Sequence, residues 1–311
     1  MKIKNKFFTL LALLLIIGIE AEPFDSTYIA KPSATSLLKN ANIYDGEGNE
    51  FLGYDLLIKN GKIEAIGSDL DTQTEDAIEY DLSGMWVTPG IIDLHSHMGV
   101  YSAPGVKSSS DGNESTSPVT ADVWAEHSVW TQDPQFSLAL QGGVTTFHVL
   151  PGSANLIGGR GTTFKNVQSN TVQGMKYPDA PHSLKMACGE NPKRVYGSRR
   201  QAPSTRMGNV AGYRKAWIKA SKYKQNMNSY ESKSVEAKEI VSPPTRDLEM
   251  DTLAGVLDGE ILVQNHCYRA EEMAMMIDIA KEFGYKITAF HHAVEAYKIA
   301  DLLADNDICG A

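Results

Sequence analysis

The stretch VTPGIIDLHSHMG, residues 87–99, joins a turn, an apolar run and two histidines. Pro89 and Gly90 indicate a turn, and the apolar residues that follow predict a strand. Side chains two residues apart on a strand share a face, so His95 and His97 point to one side at the strand's carboxyl end. Two imidazoles in that arrangement suit a divalent metal such as Zn²⁺. Alone, the spacing also fits a solvated strand end.

The chain changes character at this stretch. Residues 36–88 predict short strands with tight turns, including a hairpin at Asn60-Gly61, and indicate the β-sandwich portion of a fold. From 89 to 311, apolar strand patterns alternate with helical ones, which is typical of parallel β/α units. The fold class is therefore α/β, and the polar residues 107–120 predict a mobile loop after the first strand of the second unit.

Composition excludes several classes of protein. The 311 residues suffice for one large domain or two smaller ones, and the 42% hydrophobic and 22% charged residues are ordinary for a soluble globular protein. A net charge of −9 without a long basic patch argues against nucleic acid as a partner. Three cysteines, an odd number, predict no disulfide framework, and the lack of a C-x-x-C pair excludes the usual zinc-finger motif.

Residues 1–21 have the order of parts of a secretory signal peptide. Lys2, Lys4 and Lys6 precede an apolar run from Phe7 to Ile19, and a small residue, Ala21, follows. The run is shorter than the ~20 apolar residues that span a bilayer. We therefore predict no stable membrane span and export to the periplasm or the extracellular space. An uncleaved anchor is the alternative.

Further candidate ligands end later strand patterns. Glu190 follows ACG, His266 ends VQNH, and His291 and His292 end TAFHH. The carboxyl ends of the strands of a β/α barrel lie at one face, where such enzymes place their active sites. Residues that can bind metal at several strand ends predict one shared metal site there.

Several motifs together carry a family resemblance that covers most of residues 36–311. They are VTPGIIDLHSHMG, QGGVTTFHVLPGSANLIGGRG, GENPKRVYG, NHCYRAEE and HHAVEAYKIAD. In these the chain resembles the metal-dependent amidohydrolase superfamily, near its imidazolonepropionase-like members. The resemblance implies a (β/α)₈ TIM-like barrel at 89–311, a small β-sandwich, one or two divalent metal ions, most readily zinc, and hydrolysis of amide-type C–N bonds, often in a ring.

The resemblance also implies a ligand set. Four histidines match the family's histidine ligands: His95, His97, His266 and His292. Glu190 falls where the family has a bridging carboxylate or carboxylated lysine, and Lys165 is the rival for that role. A carboxylate binds metal without modification, which favours Glu190. His291 is expected to face away, because adjacent strand residues alternate.

The family's general base is an aspartate on the last barrel strand, and the resemblance puts that strand after Ala311. The expected molecule is therefore an incomplete barrel that lacks its last strands, a C-terminally truncated fragment that is inactive by itself. The metal is expected to activate a water that attacks the substrate. No catalytic residue is assigned.

Substrate contacts are predicted at three residues. Arg160, in the glycine-rich stretch NLIGGRG, can clamp a carboxylate from a loop, or it can be a solvated arginine in a turn. Tyr268 and Arg269 follow His266 and line the pocket mouth or the surface of a first helical turn. Positively charged side chains at the entrance of the substrate pocket suit a small substrate that bears a carboxylate. The alternative functions are a dipeptidase or prolidase-like enzyme and a catalytically inactive binding protein. A homo-oligomer stays possible.

Overall fold

The computed structural model describes residues 23–71 and 77–311. The predicted signal peptide, residues 1–21, lies outside these ranges. None of the helices in the described ranges is long and apolar enough to cross a membrane.

The first unit is a single five-stranded sheet. Its strands are β1 (Ser36–Tyr44), β2 (Glu50–Lys59), β3 (Lys62–Gly67), β4 (Ile78–Asp81) and β5 (Trp86–Val87). They run in the order β3-β2-β1-β4, with β5 also paired to β1. Asn60 and Gly61 have φ angles of 54° and 72°, as a type I′ turn requires, so the predicted hairpin is confirmed. Since the described residues of this first unit form one sheet, the second layer of the predicted sandwich is not confirmed.

The second unit is built on a seven-stranded sheet. Its strands are β6 (Ile91–Ser96), β7 (Val144–Val149), β8 (Ile157–Lys165), β9 (Ser183–Ala187), β10 (Leu262–His266), β11 (Ile287–His291) and β12 (Cys309–Gly310). Spatial order follows chain order from β6 to β12. In a flat sheet β6 and β11 would lie about 24 Å apart, five strand spacings. The rings of His95 and His291, at their ends, are 4.6 Å apart, so the sheet is strongly curled, as in an incomplete TIM-like barrel.

One strand breaks the expected parallel pattern. β8 is antiparallel to both of its neighbours, whereas the β6–β7 pair and the pairs from β9 to β12 are parallel. The glycine-rich stretch predicted as a loop lies inside β8 and is buried. Gly159 has a φ of 107°, and a Cβ there would lie 2.3 Å from the carbonyl oxygen of Val123. The glycines therefore allow close backbone contact, and a local pattern cannot reveal that.

Helices cover the outer face of the sheet. They are α1 (Gln135–Gln141), α2 (Glu190–Gly197), α3 (Arg206–Glu231), α4 (Val235–Ile240), α5 (Leu248–Asp258), α6 (Ala270–Phe283) and α7 (Ala300–Ala304). Short 3₁₀ turns are present at Lys107–Ser109, Ala125–Ser128 and Ala296–Ile299. The main core packs Trp217 of α3, Leu253 of α5 and Met276 of α6 against Leu184 and Phe290 of the sheet. Burial of these side chains holds β9 and β11 in place, and β11 ends at His291.

Two local expectations differ from the structure. The loop 107–120 is held by specific contacts: Asn155 donates to the carbonyls of Glu114 and Ser117 at 2.7 and 2.8 Å. A Cys188–Cys267 disulfide joins the residues that directly follow β9 and β10, although the cysteine count predicted no framework. An odd count excludes only complete pairing, and Cys309 is the free, exposed cysteine.

Candidate metal centre

Five histidines from three strand ends meet at the carboxyl edge of the curled sheet. The Nε2 atoms of His95 and His97 are 3.3 Å apart. The ring of His95 lies 4.6 Å from those of His291 and His292, and the rings of His266 and His292 are 4.7 Å apart. The strand ends that the sequence marked are therefore neighbours in space.

His291 was expected to face away, and the structure contradicts this. Its Nε2 donates to Oε1 of Gln264 at 2.6 Å, which directs Nδ1 elsewhere, and Nδ1 is buried without a hydrogen-bond partner in the described part of the chain. The physical reason lies in His292, whose φ of 55° is left-handed. That turn breaks the alternation of a strand, so both adjacent imidazoles approach His95.

Lys185 is the member of the cluster that the sequence interpretation missed. It lies on β9, is fully buried, and its Nζ is 3.4 Å from Nε2 of His95. Burial lowers the pKa of Lys185 to about 7. Burial of an amine costs free energy that packing alone does not offset, so a fully buried lysine among imidazoles indicates a role in the site.

Burial also keeps the imidazoles neutral. It lowers the pKa of His266 and of His291 to about 3, with the nearby Lys185 as a second cause. The pKa values of His95 and His97 are lowered for the same two reasons, burial first. Neutral imidazole is the form that binds metal, so these rings have lone pairs available at neutral pH.

Other side chains and carbonyls orient the rings. The carbonyl of Leu150 accepts from Nδ1 of His97 at 2.8 Å, which leaves Nε2 facing His95. His266 has Ser153 Oγ 2.8 Å from Nδ1 and Asn191 Nδ2 3.2 Å from Nε2. Such partners fix the tautomer and orientation of metal-binding histidines.

The spacing of the cluster fits a metal. Two nitrogens on one tetrahedral zinc lie about 3.3 Å apart, which is the separation between His95 and His97. In the described part of the chain, no three histidines have ligand nitrogens that all lie within 4.8 Å of one another. Among the described residues, the three side chains whose ligand atoms lie within 4.8 Å of one another are instead Cys188, Cys267 and Glu272. This spacing therefore suits a site in which the histidines are divided between two metal ions, or in which Lys185 supplies a further ligand.

Neither predicted bridging residue lies in the cluster. β9 ends at Ala187, and Glu190 is the exposed first residue of α2. Lys165 ends β8, and because β8 is antiparallel it lies at the opposite edge, beside Thr146 of β7. There its Nζ lies 4.4 Å from the ring centre of Tyr177. Lys185, in contrast, lies within the cluster, beside His95.

Comparisons with known proteins identify the family of the chain. No protein-family model matches the chain. Amidohydrolase tasK of Hapsidospora irregularis is 32% identical over 303 residues, which are 89% of this chain but 31% of that protein. The imidazolonepropionase of Chromobacterium violaceum is 30% identical over 117 residues, 32% of this chain and 28% of that one.

A solved structure decides the family. An amidohydrolase from Thermotoga maritima has 39% identity and a TM-score of 0.80, and the match covers 89% of this chain and 69% of that one. This chain belongs to the amidohydrolase superfamily. Members of the superfamily generally depend on divalent metals. The chain spans less than a third of the length of each of the two curated relatives above.

Two predicted substrate residues of this amidohydrolase lie beside the histidines. The ring of Tyr268 is 4.5 Å from that of His266, and Tyr268 and the exposed Arg269 line a pocket of about 170 Å³. Glu190 and Lys193 line the same pocket. Arg269 forms a 2.8 Å ion pair with Glu271 at this rim.

Arg160 lies elsewhere. It is buried within β8, donates to Thr252 Oγ1 at 2.8 Å and lies 4.1 Å from the ring centre of Trp124. It lines a cavity of about 960 Å³ with His182 and Ile261, which precede β9 and β10. This is the opposite edge of the amidohydrolase sheet, so the predicted loop that would bring Arg160 to the site does not form.

Lys185 had a usable signal in the sequence. It is the charged residue of the stretch SLKMACG, whose other residues are apolar or small. A charged residue within a short strand buried on both faces needs a partner or a function. Ser153 and Asn191 had no comparable signal, because Ser153 lies in a loop, Asn191 lies in the first turn of α2, and their approach to His266 depends on the tertiary fold.

Proposed function

We propose that this amidohydrolase is a metal-dependent hydrolase that cleaves amide-type carbon–nitrogen bonds, including cyclic ones, in small molecules. The observation that carries the proposal is the contact of the fully buried Lys185 with the histidine cluster. Support also comes from the names of the relatives, an amidohydrolase and an imidazolonepropionase.

We infer that Lys185 acts as an N-carboxylated lysine. Its neutral amine would add to the carbon of CO₂: an N–C bond forms, one C=O π bond of CO₂ becomes a C–O⁻ bond, and the nitrogen releases one proton to water. The product is a carbamate, whose oxygens would be able to hold a metal ion. Since Lys185 lies 3.4 Å from His95, such a group would lie among the imidazoles. This assigns the bridging role to Lys185 rather than to Glu190 or Lys165.

The ligands that we propose are Lys185 and the histidines at the three strand ends: His95, His97, His266 and His291 or His292. Imidazole nitrogens and a carbamate oxygen suit Zn²⁺, as one or two ions. When bound, such an ion lowers the pKa of its water toward ~7 and polarises the substrate carbonyl. The chain's own contribution is orientation, through Leu150 on His97 and Ser153 on His266.

The rim pocket suggests the substrate. Its lining contains three cations, Lys193, Arg206 and Arg269, and two carboxylates, Glu190 and Glu272. Tyr268 joins the pocket to His266, so we propose that Tyr268, Arg269 and Lys193 bind a carboxylate of the substrate. A carboxylate-bearing cyclic amide and a dipeptide both satisfy this arrangement, and the prolidase-like alternative therefore stays open.

A second candidate is a catalytically inactive binding protein. It would use the same metal site without turnover, and the substrate panel below separates it from the hydrolase. Export remains a proposal from residues 1–21. The Cys188–Cys267 disulfide supports it, because such bonds persist in oxidising compartments.

Metal analysis and a substrate panel test the proposal. We expect the purified protein to retain Zn²⁺, Mn²⁺ or Co²⁺ and His95→Ala to weaken metal binding by at least about tenfold. The exposed His127→Ala is the matched control. A panel of cyclic amides and dipeptides, with and without a carboxylate, then separates the readings. Metal that is retained equally by His95→Ala rejects the site, whereas bound metal without turnover favours the binding protein.

A further inference from the structure

A second group of metal-binding atoms lies outside the histidine cluster. The Sγ atoms of Cys188 and Cys267 and a carboxylate oxygen of Glu272 lie within 4.8 Å of one another. Both cysteines are buried, with 4% and 0% exposure, and they are joined as a disulfide. Two thiolates and a carboxylate are a donor set that Zn²⁺ accepts.

The position of Glu272 is unusual for a carboxylate. It lies in the first turn of α6 with its Oε2 3.8 Å from Cys188 Sγ, and its side chain is 11% exposed. Burial raises the pKa of Glu272. Arg206, at 3.6 Å, partly compensates it, and Arg269 and Lys193 act on its pKa in the same direction. A nearly buried carboxylate against two sulfurs is stabilised further by a cation placed between them.

The backbone leaves room for this carboxylate. Gly189, directly after Cys188, has a φ of 66°, and a Cβ there would lie 2.4 Å from Glu272 Oε2. Any other residue would push the carboxylate away from the sulfurs. The close approach of Glu272 therefore depends on the glycine.

Small solutes can reach the sulfur. A cleft of about 250 Å³ between α3 and α6 is lined by Cys188, Glu272, Val210, Tyr213 and Met276, among other residues. It provides a route for a reductant and space for a water as a further ligand. Structural zinc sites are closed, whereas three protein ligands beside an accessible space match an open site.

We propose that Cys188, Cys267 and Glu272 form a redox-gated metal site that binds Zn²⁺ only after the disulfide is reduced. A small thiolate attacks Cys188 Sγ, the S–S bond breaks and Cys267 leaves as a thiolate. A second thiolate then releases Cys188 and forms the external disulfide, so two thiols are oxidised for one bond reduced. Zn²⁺ binding displaces the protons of the two thiols. The site does not depend on the proposed hydrolase function.

Cobalt titration tests the proposal without using activity. Co²⁺ bound to thiolate gives charge-transfer absorption that histidine ligands do not, so the histidine cluster does not interfere. The titration uses the whole chain with Cys309→Ser, oxidised and after treatment with a thiol that is then removed. We expect the thiolate band in the reduced protein only, and loss of the bound Co²⁺ when Zn²⁺ is added.

Glu272→Gln tests the carboxylate and keeps both cysteines. We expect it to weaken Co²⁺ binding to the reduced protein by at least about tenfold. Glu271→Gln is the matched control, because Glu271 also pairs with Arg206, at 3.0 Å, but is 52% exposed. Absence of the band after reduction, confirmed by thiol counting, overturns the proposal. Equal affinities in Glu272→Gln and Glu271→Gln overturn the three-residue site.

Discussion

At the scale of single residues, the histidine cluster contains a lysine, although lysines usually lie on the surface. Lys185 is fully buried, and its amine lies 3.4 Å from His95. Lys165 is a lysine of the same sheet at the other edge, where it lies over the ring of Tyr177. The two lysines therefore form a matched pair for experiments.

Replacement of Lys185 by Met separates metal binding from folding. Met has a similar length and no amine, so we expect Lys185→Met to fold with a free energy of unfolding equal to or above that of the original protein. Metal affinity should fall by at least about tenfold, because the bridging group is lost. Metal content and urea unfolding are measured together. Lys165→Met should change neither, and full metal content in Lys185→Met would exclude Lys185 as a ligand.

At the scale of elements, the sequence predicted what local periodicity controls. The i and i+2 spacing placed His95 and His97 together, and Asn60-Gly61 gave a hairpin with the expected φ angles. It could not predict the left-handed φ of His292, which brings His291 toward the site, because tertiary packing sets that angle. Nor could it give the direction of β8, since both directions share the same alternation of side chains.

The glycines of β8 provide a test of this packing. In Gly159→Ala, a residue with a side chain must adopt a positive φ, and its new Cβ would lie 2.3 Å from the carbonyl oxygen of Val123. That oxygen already accepts a hydrogen bond from the backbone N–H of Arg160. We expect a loss of roughly 2–4 kcal/mol in the free energy of unfolding, from backbone strain and overpacking. Gly53→Ala in β2 is the control, because its φ of 66° is also positive but nothing lies within 4 Å. Urea unfolding should show a smaller loss in the free energy of unfolding for Gly53→Ala than for Gly159→Ala. Equal losses would show that the close backbone contact at Gly159 adds nothing to the cost.

At the scale of the whole molecule, the curled sheet encloses imidazoles that stay neutral. His148 of β7 binds Thr163 Oγ1 at 2.9 Å and Ser183 Oγ at 2.7 Å inside the curl. Burial lowers its pKa to about 4, and the pKa values of His266 and His291 to about 3. The local sequence marks the strands, but only the closure of the sheet removes these rings from water.

This enclosure predicts instability in acid. The unfolded chain takes up a proton on each histidine near pH 6.5, while folded His148 stays neutral until about pH 4. Stability that is fully present above pH 6.5 is therefore lost as the pH falls toward 4, by about 1.4 kcal/mol per pH unit for this residue. His148→Gln, which keeps a donor and an acceptor, should flatten the metal-free unfolding profile by that slope. Urea unfolding from pH 7 to 4 measures it, with His127→Gln as the surface control. An unchanged slope in His148→Gln would show that His148 is protonated in the folded protein over this range.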